Sequence, residues 1–115
     1  MIKQVSEMRS ESRQQMRGGK GEVRIQHLFE QGEYKGHTRL MAKVTLAPGC
    51  SIGSHEHKEE EELFYIKKGR GRVTEDGETR DVGPDDAILT GGGRSHAIEN
   101  VGEEDLELLA VILTY

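Results

Sequence analysis

Several things are scarce in this chain, and each shortage excludes something. There is one cysteine, Cys50, so no intramolecular disulfide can form. With no triad-like context around it, Cys50 reads as a plain free thiol. No apolar run approaches the ~20 residues needed to cross a bilayer as a helix. The N-terminal stretch "MIKQVSEMRSESRQQMRGGKGEV" has no apolar core of the signal-peptide kind, so the expected location is the cytoplasm, with no membrane partner. An excess of basic residues is missing as well. The net charge is −5, which argues against nucleic acid as the main partner. Proline is rare, with 2 residues, while glycine is abundant at 15, and glycine at that density without a repeat means many tight turns.

What remains is a short, polar, turn-rich chain. At 115 residues it is one domain with room for one core. Residues 1–22 read as an N-terminal arm and loop, and 23–115 as the folded domain. Within the arm, 1–17 is polar and patternless, at most a short helix or an extended segment. "RGGKG" at 17–21 is too short for an RNA-binding tract and does not match a phosphate loop. "VRIQHLF" then reads as a strand. "RLMAKVTLAPG" alternates, with Leu40, Ala42, Val44 and Leu46 on one face. The segments "SIGSHEH", "EELFYIKKG", "GRVTEDGE", "TRDV", "DAILTG", "SHAIEN" and "DLELLAVILTY" follow, most of them parted by Gly, Asp, Asn or Pro. Asp76-Gly77 is a strong hairpin signal. About nine short strands without a convincing long helix predict an all-β sandwich or barrel.

One stretch carries chemistry. "SHEHKEEEELFYIKKG" runs from Ser54 to Gly69. On a strand, His55 and His57 share a face, and two imidazoles facing a small interior need partners or a metal. The next strand begins near Glu61. If Glu62 faces inward, Phe64 and Ile66 follow on the same face as an apolar shell. Glu59, Glu60 and Glu61 read as solvated loop residues. Further on, His96, Ile98 and Asn100 share a face by the same period. Three imidazoles and one carboxylate form a mixed nitrogen and oxygen donor set, suited to Mn, Fe, Co, Ni, Cu or Zn. Arg94 is a candidate to hold an anion at the pocket mouth. His27 and His37 read as surface or rim, and Asn100 as a turn-fixing residue.

These residues resemble the cupins. The first cupin motif, G(X)5HXH(X)3–4E(X)6G, is matched by Gly49, His55, His57, Glu62 and Gly69. Glu61 would also fit the permitted spacing, but the distance to Gly69 favours Glu62. The second motif, G(X)5PXG(X)2H(X)3N, is matched at Gly93, His96 and Asn100, with Asp85 in place of its first glycine and Gly91 in place of its proline. The resemblance spans about residues 39–115. It implies a double-stranded β-helix barrel of jelly-roll type. It also implies a divalent transition metal (Mn, Fe, Ni, Co or Zn) on His55, His57, Glu62 and His96, with Phe64, Ile66, Arg94 and Ile98 near a small-molecule ligand. Cupins include dioxygenases, decarboxylases, sugar isomerases and epimerases, and non-catalytic sensors and storage proteins. The intact ligand set argues against the storage class, and Glu62 against thiol dioxygenases. The spacing looks most like small oxalate-decarboxylase-like or germin-like cupins. A metal-dependent enzyme acting on a small oxygen-rich substrate is therefore the first expectation, and a metal-dependent binding module without turnover the second. A homodimer is expected through the C-terminal strand. Leu108, Ala110 and Ile112 occupy one of its faces, and Leu109, Val111 and Leu113 the other, which needs a cover.

Overall fold

A computed structural model describes all 115 residues. It contains ten strands: β1 (Ser10–Gln14), β2 (Glu22–His27), β3 (Thr38–Leu46), β4 (Ser51–Glu56), β5 (Glu60–Lys68), β6 (Gly71–Glu75), β7 (Glu78–Val82), β8 (Ala87–Gly91), β9 (Ser95–Asn100) and β10 (Leu106–Thr114). The only helical pieces are two 3-10 turns, Val5–Glu7 and Met16–Gly18. The strands form a six-stranded sheet in the order β1-β2-β3-β10-β5-β8 and a four-stranded sheet in the order β4-β9-β6-β7, with every pairing antiparallel. This is the expected all-β, jelly-roll architecture.

Alternation decides which residues meet between the sheets. In β10, Leu106, Leu108, Ala110 and Ile112 are buried, and in β3 Ala42, Val44 and Leu46 join them. Ile66 of β5 and Ile98 of β9 complete the deep core. Each of the leucine, isoleucine and valine side chains among them, fully buried, stabilises the fold by roughly 1.5–3 kcal/mol. The hairpin signal holds, because Asp76 and Gly77 link β6 to β7 with positive φ at both positions.

Both departures from the second motif are absorbed locally. Asp85 stands in the left-handed region, with φ 73°, where its short polar side chain is tolerated, and it accepts a hydrogen bond from the Tyr65 hydroxyl at 2.6 Å. At Gly91, a Cβ would run into Glu61 and the Glu60 carbonyl of the paired strand β5. Asn100 is buried and fixes the β9–β10 turn. Its amide donates to the carbonyls of Leu46 and Glu104, both at 2.8 Å, and its Oδ1 accepts from the Gly102 N–H.

The N-terminal arm differs from a free extension. Residues 10–14 pair with β2 and so extend the six-stranded sheet at its edge. Side chains also join the two strands, Ser12 Oγ donating to Glu22 Oε1 at 3.2 Å and His27 Nε2 standing 2.6 Å from Glu11 Oε2. The polarity that made this segment look patternless is that of an edge strand with a solvated face.

Candidate metal centre

His55 and His96 are opposed across β4 and β9, and His57 follows directly after β4. Glu62 reaches the same point from β5 in the other sheet. His57, Glu62 and His96 are buried, and His55 is nearly so. One donor atom from each of the four residues lies within 4.8 Å of the others. The Nε2 atoms of His57 and His55 stand 3.0 and 3.1 Å from Nε2 of His96, and Glu62 Oε1 is 3.0 Å from Nε2 of both His57 and His96. The three rings meet at steep angles, 71° to 86°, as rings do when they radiate from a common point.

The outward nitrogens assign the tautomers. His55 Nδ1 donates to the Gly53 carbonyl at 2.8 Å, and His57 Nδ1 donates to the Glu60 carboxylate at 2.8 Å. His96 Nδ1 lies 3.0 Å from Thr90 Oγ1, whose own proton goes to Glu75 Oε2 at 2.6 Å. Thr90 therefore accepts from His96. All three partners act as acceptors, so every Nδ1 carries a proton and every Nε2 presents a lone pair inward. Three lone pairs and a carboxylate oxygen about 3 Å apart repel one another unless a cation sits among them. The donor set thus fits a divalent metal, with mixed nitrogen and oxygen ligands and hydrogen-bonded supports behind the imidazoles.

The protonation states agree with that fit. Burial pushes the Glu62 carboxyl up, but hydrogen bonds from His55 and His96, made when an inward nitrogen carries a proton in place of the metal, outweigh it and hold Glu62 below its usual range. Burial likewise pushes the His96 imidazole down, and Glu62 only partly offsets this, so His96 favours the neutral, ligating form. In the unfolded chain His96 would take up a proton near pH 6.5. Its contribution to the metal-free fold is therefore complete above about pH 6.5 and declines as the pH falls from there toward its lowered folded value. Glu62 adds a second decline below about pH 4.5. Metal release should run in the same direction, because protons compete for the same nitrogens. Melting temperatures of chelator-treated protein should fall between pH 7.5 and 5.5. A flat profile would show that His96 is not held neutral by burial.

Phe64 stands against the centre, its ring parallel to His96 with centroids 4.7 Å apart. It lines a cavity of about 150 Å3 between the sheets, together with His55, His57 and Glu62. Ile66 and Ile98, expected beside it, lie deeper in the core and do not reach the cavity. They share the inward face, but two residues along a strand is a shift of about 7 Å, enough to leave a site this small. Arg94 is also absent from the cavity. It projects from the turn before β9, and its guanidinium meets Glu75 and Asp76 at 3.4 and 3.9 Å. A larger opening, of about 420 Å3, lies between β7 and β8, but it is rimmed by carboxylates and holds no imidazole.

Two readings of the sequence are corrected here. Glu60 is no solvated loop residue. It opens β5, on the same face as Glu62, and its carboxylate takes both the His57 proton and a two-pronged contact from Arg39, at 2.8 and 3.0 Å. Arg39 above all, with His57 adding to it against the effect of burial, holds the Glu60 carboxyl at about 2. Extending the period-2 pattern two residues back from Glu62 would have found it. His27 is no rim residue either. It is buried in the cavity wall, with Nε2 2.6 Å from Glu11 Oε2. Arg13 first, then His27, hold the Glu11 carboxyl at about 2, so Glu11 accepts that bond. His27 follows Val23 and Ile25 at strand spacing, a sign that it faces inward, whereas Glu11 could not be located from sequence. His37 is exposed, as expected.

Comparison with known proteins agrees with this geometry. A family model described as "Cupin domain" matches residues 42–112. An oxalate-binding protein of Thermotoga maritima is 42% identical over 113 residues, covering 98% of this chain and 93% of that protein. The crystal structure of a predicted oxalate decarboxylase from Thermotoga maritima superposes with a TM-score of 0.95 at 41% identity, covering 100% of both chains. The cupin domain of Schizosaccharomyces pombe Cnp3 shares the fold alone, with a TM-score of 0.74, 20% identity, and 91% and 69% of the two chains covered. The spaced histidines and glutamate, the two sheets that bring them together and the full-length likeness lead to one assignment: the chain belongs to the cupin family.

Proposed function

We propose that this protein binds a small carboxylate, of the oxalate type, at a divalent transition ion held by His55, His57, Glu62 and His96. The observation that carries this reading is the converging donor set at the wall of a small cavity whose other walls bring in arginines. A divalent ion with one carboxylate ligand leaves a net positive centre, and the apolar walls at Phe64, Leu40 and Ile112 strengthen its pull on an anion. When bound, the ion supplies Lewis-acid polarisation of a carboxylate oxygen. Mn, Fe, Co, Ni and Zn all suit the donors. The cavity, about 150 Å3, is well under the ~300–1,000 Å3 of sites for drug-sized ligands, which disfavours a sugar as occupant. The likeness to an oxalate-binding protein supports the same class of ligand.

Calorimetry on manganese-loaded protein should register oxalate and malonate, and the heat should vanish once the metal is stripped. Carboxylate binding that survives stripping unchanged, or sugar binding alone, would overturn the proposal. A second reading is turnover. It is favoured by His27, a proton-bearing group in the same wall, anchored by ionised Glu11. Assay of the same samples for formate or carbon dioxide separates an enzyme from a binding module.

We further propose a homodimer through the outer face of the six-stranded sheet. Leu109 and Val111 are half-buried there, beside Leu63 and Met41. Tyr65 and Leu89, on β5 and β8, are 39% and 59% exposed, and Leu113 of β10 itself is 40% exposed. An apolar face of this kind is ordinarily covered. Light scattering should give twice the chain mass at micromolar concentration, and Val111→Glu or Leu109→Glu should return it to the single chain. A monomeric parent would overturn the dimer.

A further inference from the structure

The cavity mouth carries three arginines, and their charges are not equivalent. Arg39 is spent on Glu60, and Arg13 on Glu11. Arg17 lines the same cavity and forms no ion pair. It comes from the N-terminal arm, outside both motifs, so its presence at the metal-side cavity is a tertiary result.

The arm is held there by specific packing. Ser51 N–H donates to the Lys20 carbonyl at 2.8 Å, and Lys20 N–H donates to Ser51 Oγ at 2.9 Å. Beside these contacts the chain passes so close to β4 that a Cβ at Gly53 would collide with the Arg17 carbonyl oxygen, and one at Gly19 with the Ser51 carbonyl oxygen. Gly53 is also the residue whose carbonyl orients His55. Met16 anchors the turn against the hydrophobic core. Gln15 and Arg17 both adopt left-handed backbone, with φ 50° and 55°. Non-glycine residues take that conformation only at an energetic cost. A segment held in this way, with a cation at its tip, is positioned rather than merely tolerated.

We propose that Arg17 is the ligand-reading cation of this site and selects dianionic over monoanionic carboxylates. The inference rests on the reading of the site as a metal-dependent carboxylate site. A divalent ion against the single carboxylate of Glu62 leaves one positive charge. Arg17 adds a second, and the two match a small dicarboxylate, whereas a monocarboxylate leaves one of them unanswered. The guanidinium fork suits a carboxylate with two parallel N–H donors.

The test uses the full-length, manganese-loaded protein with oxalate, malonate and lactate as probes in calorimetry. Arg17→Asn removes the cation while keeping a residue at ease in left-handed backbone, and Arg17→Lys keeps the charge without the fork. Metal content by elemental analysis and the melting temperature should match the parent in both. Arg17→Asn should weaken oxalate and malonate at least 10-fold and lactate no more than about 3-fold. Arg17→Lys should recover part of the loss. A purely structural arm would weaken all three probes together, and that result, or an Arg17→Asn variant that binds like the parent, overturns the proposal while leaving the metal-carboxylate reading in place. A parent that binds none of the three overturns both.

Discussion

Alanine at both His57 and His96 is expected to abolish metal binding while the barrel still folds. The two residues enter from opposite ends of the motif region, and each Nε2 stands 3.0 Å from Glu62 Oε1. Losing a single supporting hydrogen-bond partner typically costs ~10–100-fold in metal affinity. Losing two of four direct ligands should cost far more, leaving no stoichiometric metal after dialysis. Phe64 loses the His96 ring it stacks on, but the strands β3, β5 and β10 keep their other core side chains and their ladders, so the far-ultraviolet circular dichroism should retain its β signature. Elemental analysis of the double variant beside the parent decides the matter. Equal metal loading would place the site elsewhere in the chain.

Phe64→Ala is expected to have the largest effect on stability. Phe64 is among the largest fully packed side chains, 2% exposed, and its ring lies flat on His96. Removing such a ring from a core costs ~3–5 kcal/mol. Against a total of ~5–15 kcal/mol for a small domain, that is a large share. Metal affinity should drop as well, because His96 loses the surface that holds its plane, leaving Thr90 as its outer support. Phe64→Leu, which keeps most of the volume, should recover most of the stability. Urea unfolding of the three proteins with metal removed measures the packing alone. A cost under about 1 kcal/mol for the alanine variant would mean that the site collapses around the gap and that Phe64 is not a structural wall of the centre.

Most strands could be read from the sequence because the period-2 signal is local. Leu108, Ala110 and Ile112 share one face of their strand whatever the rest of the chain does, and Asp76-Gly77 favours a hairpin from its own two residues. The candidate metal-ligating residues were legible partly for the same reason, with His96 joined to the others by the resemblance to the cupin motifs. His55 and His57 are fixed to each other by strand geometry, and Glu62 to Phe64 likewise. The pattern misleads where its span is not local. Glu60 lies inside the strand that carries Glu62, and Ile66 and Ile98 lie past the end of a cavity only about 150 Å3 in size. β1 shows no alternation in the sequence because it is an edge strand with a solvated face.

The all-β class and the strand alternation follow from spacings of a few residues along the chain, and the resemblance to the cupin motifs joins His96 to His55, His57 and Glu62 as a candidate ligand set. Sheet order and packing set what surrounds those side chains. Glu11 reaches His27 because β1 is laid against β2, Arg39 reaches Glu60 because β3 and β5 flank β10 on the same sheet, and Arg17 reaches the cavity because Gly19 and Gly53 let two backbones touch. Those contacts join residues 16 to 36 positions apart, at distances set by sheet order and close packing, and no local period encodes them.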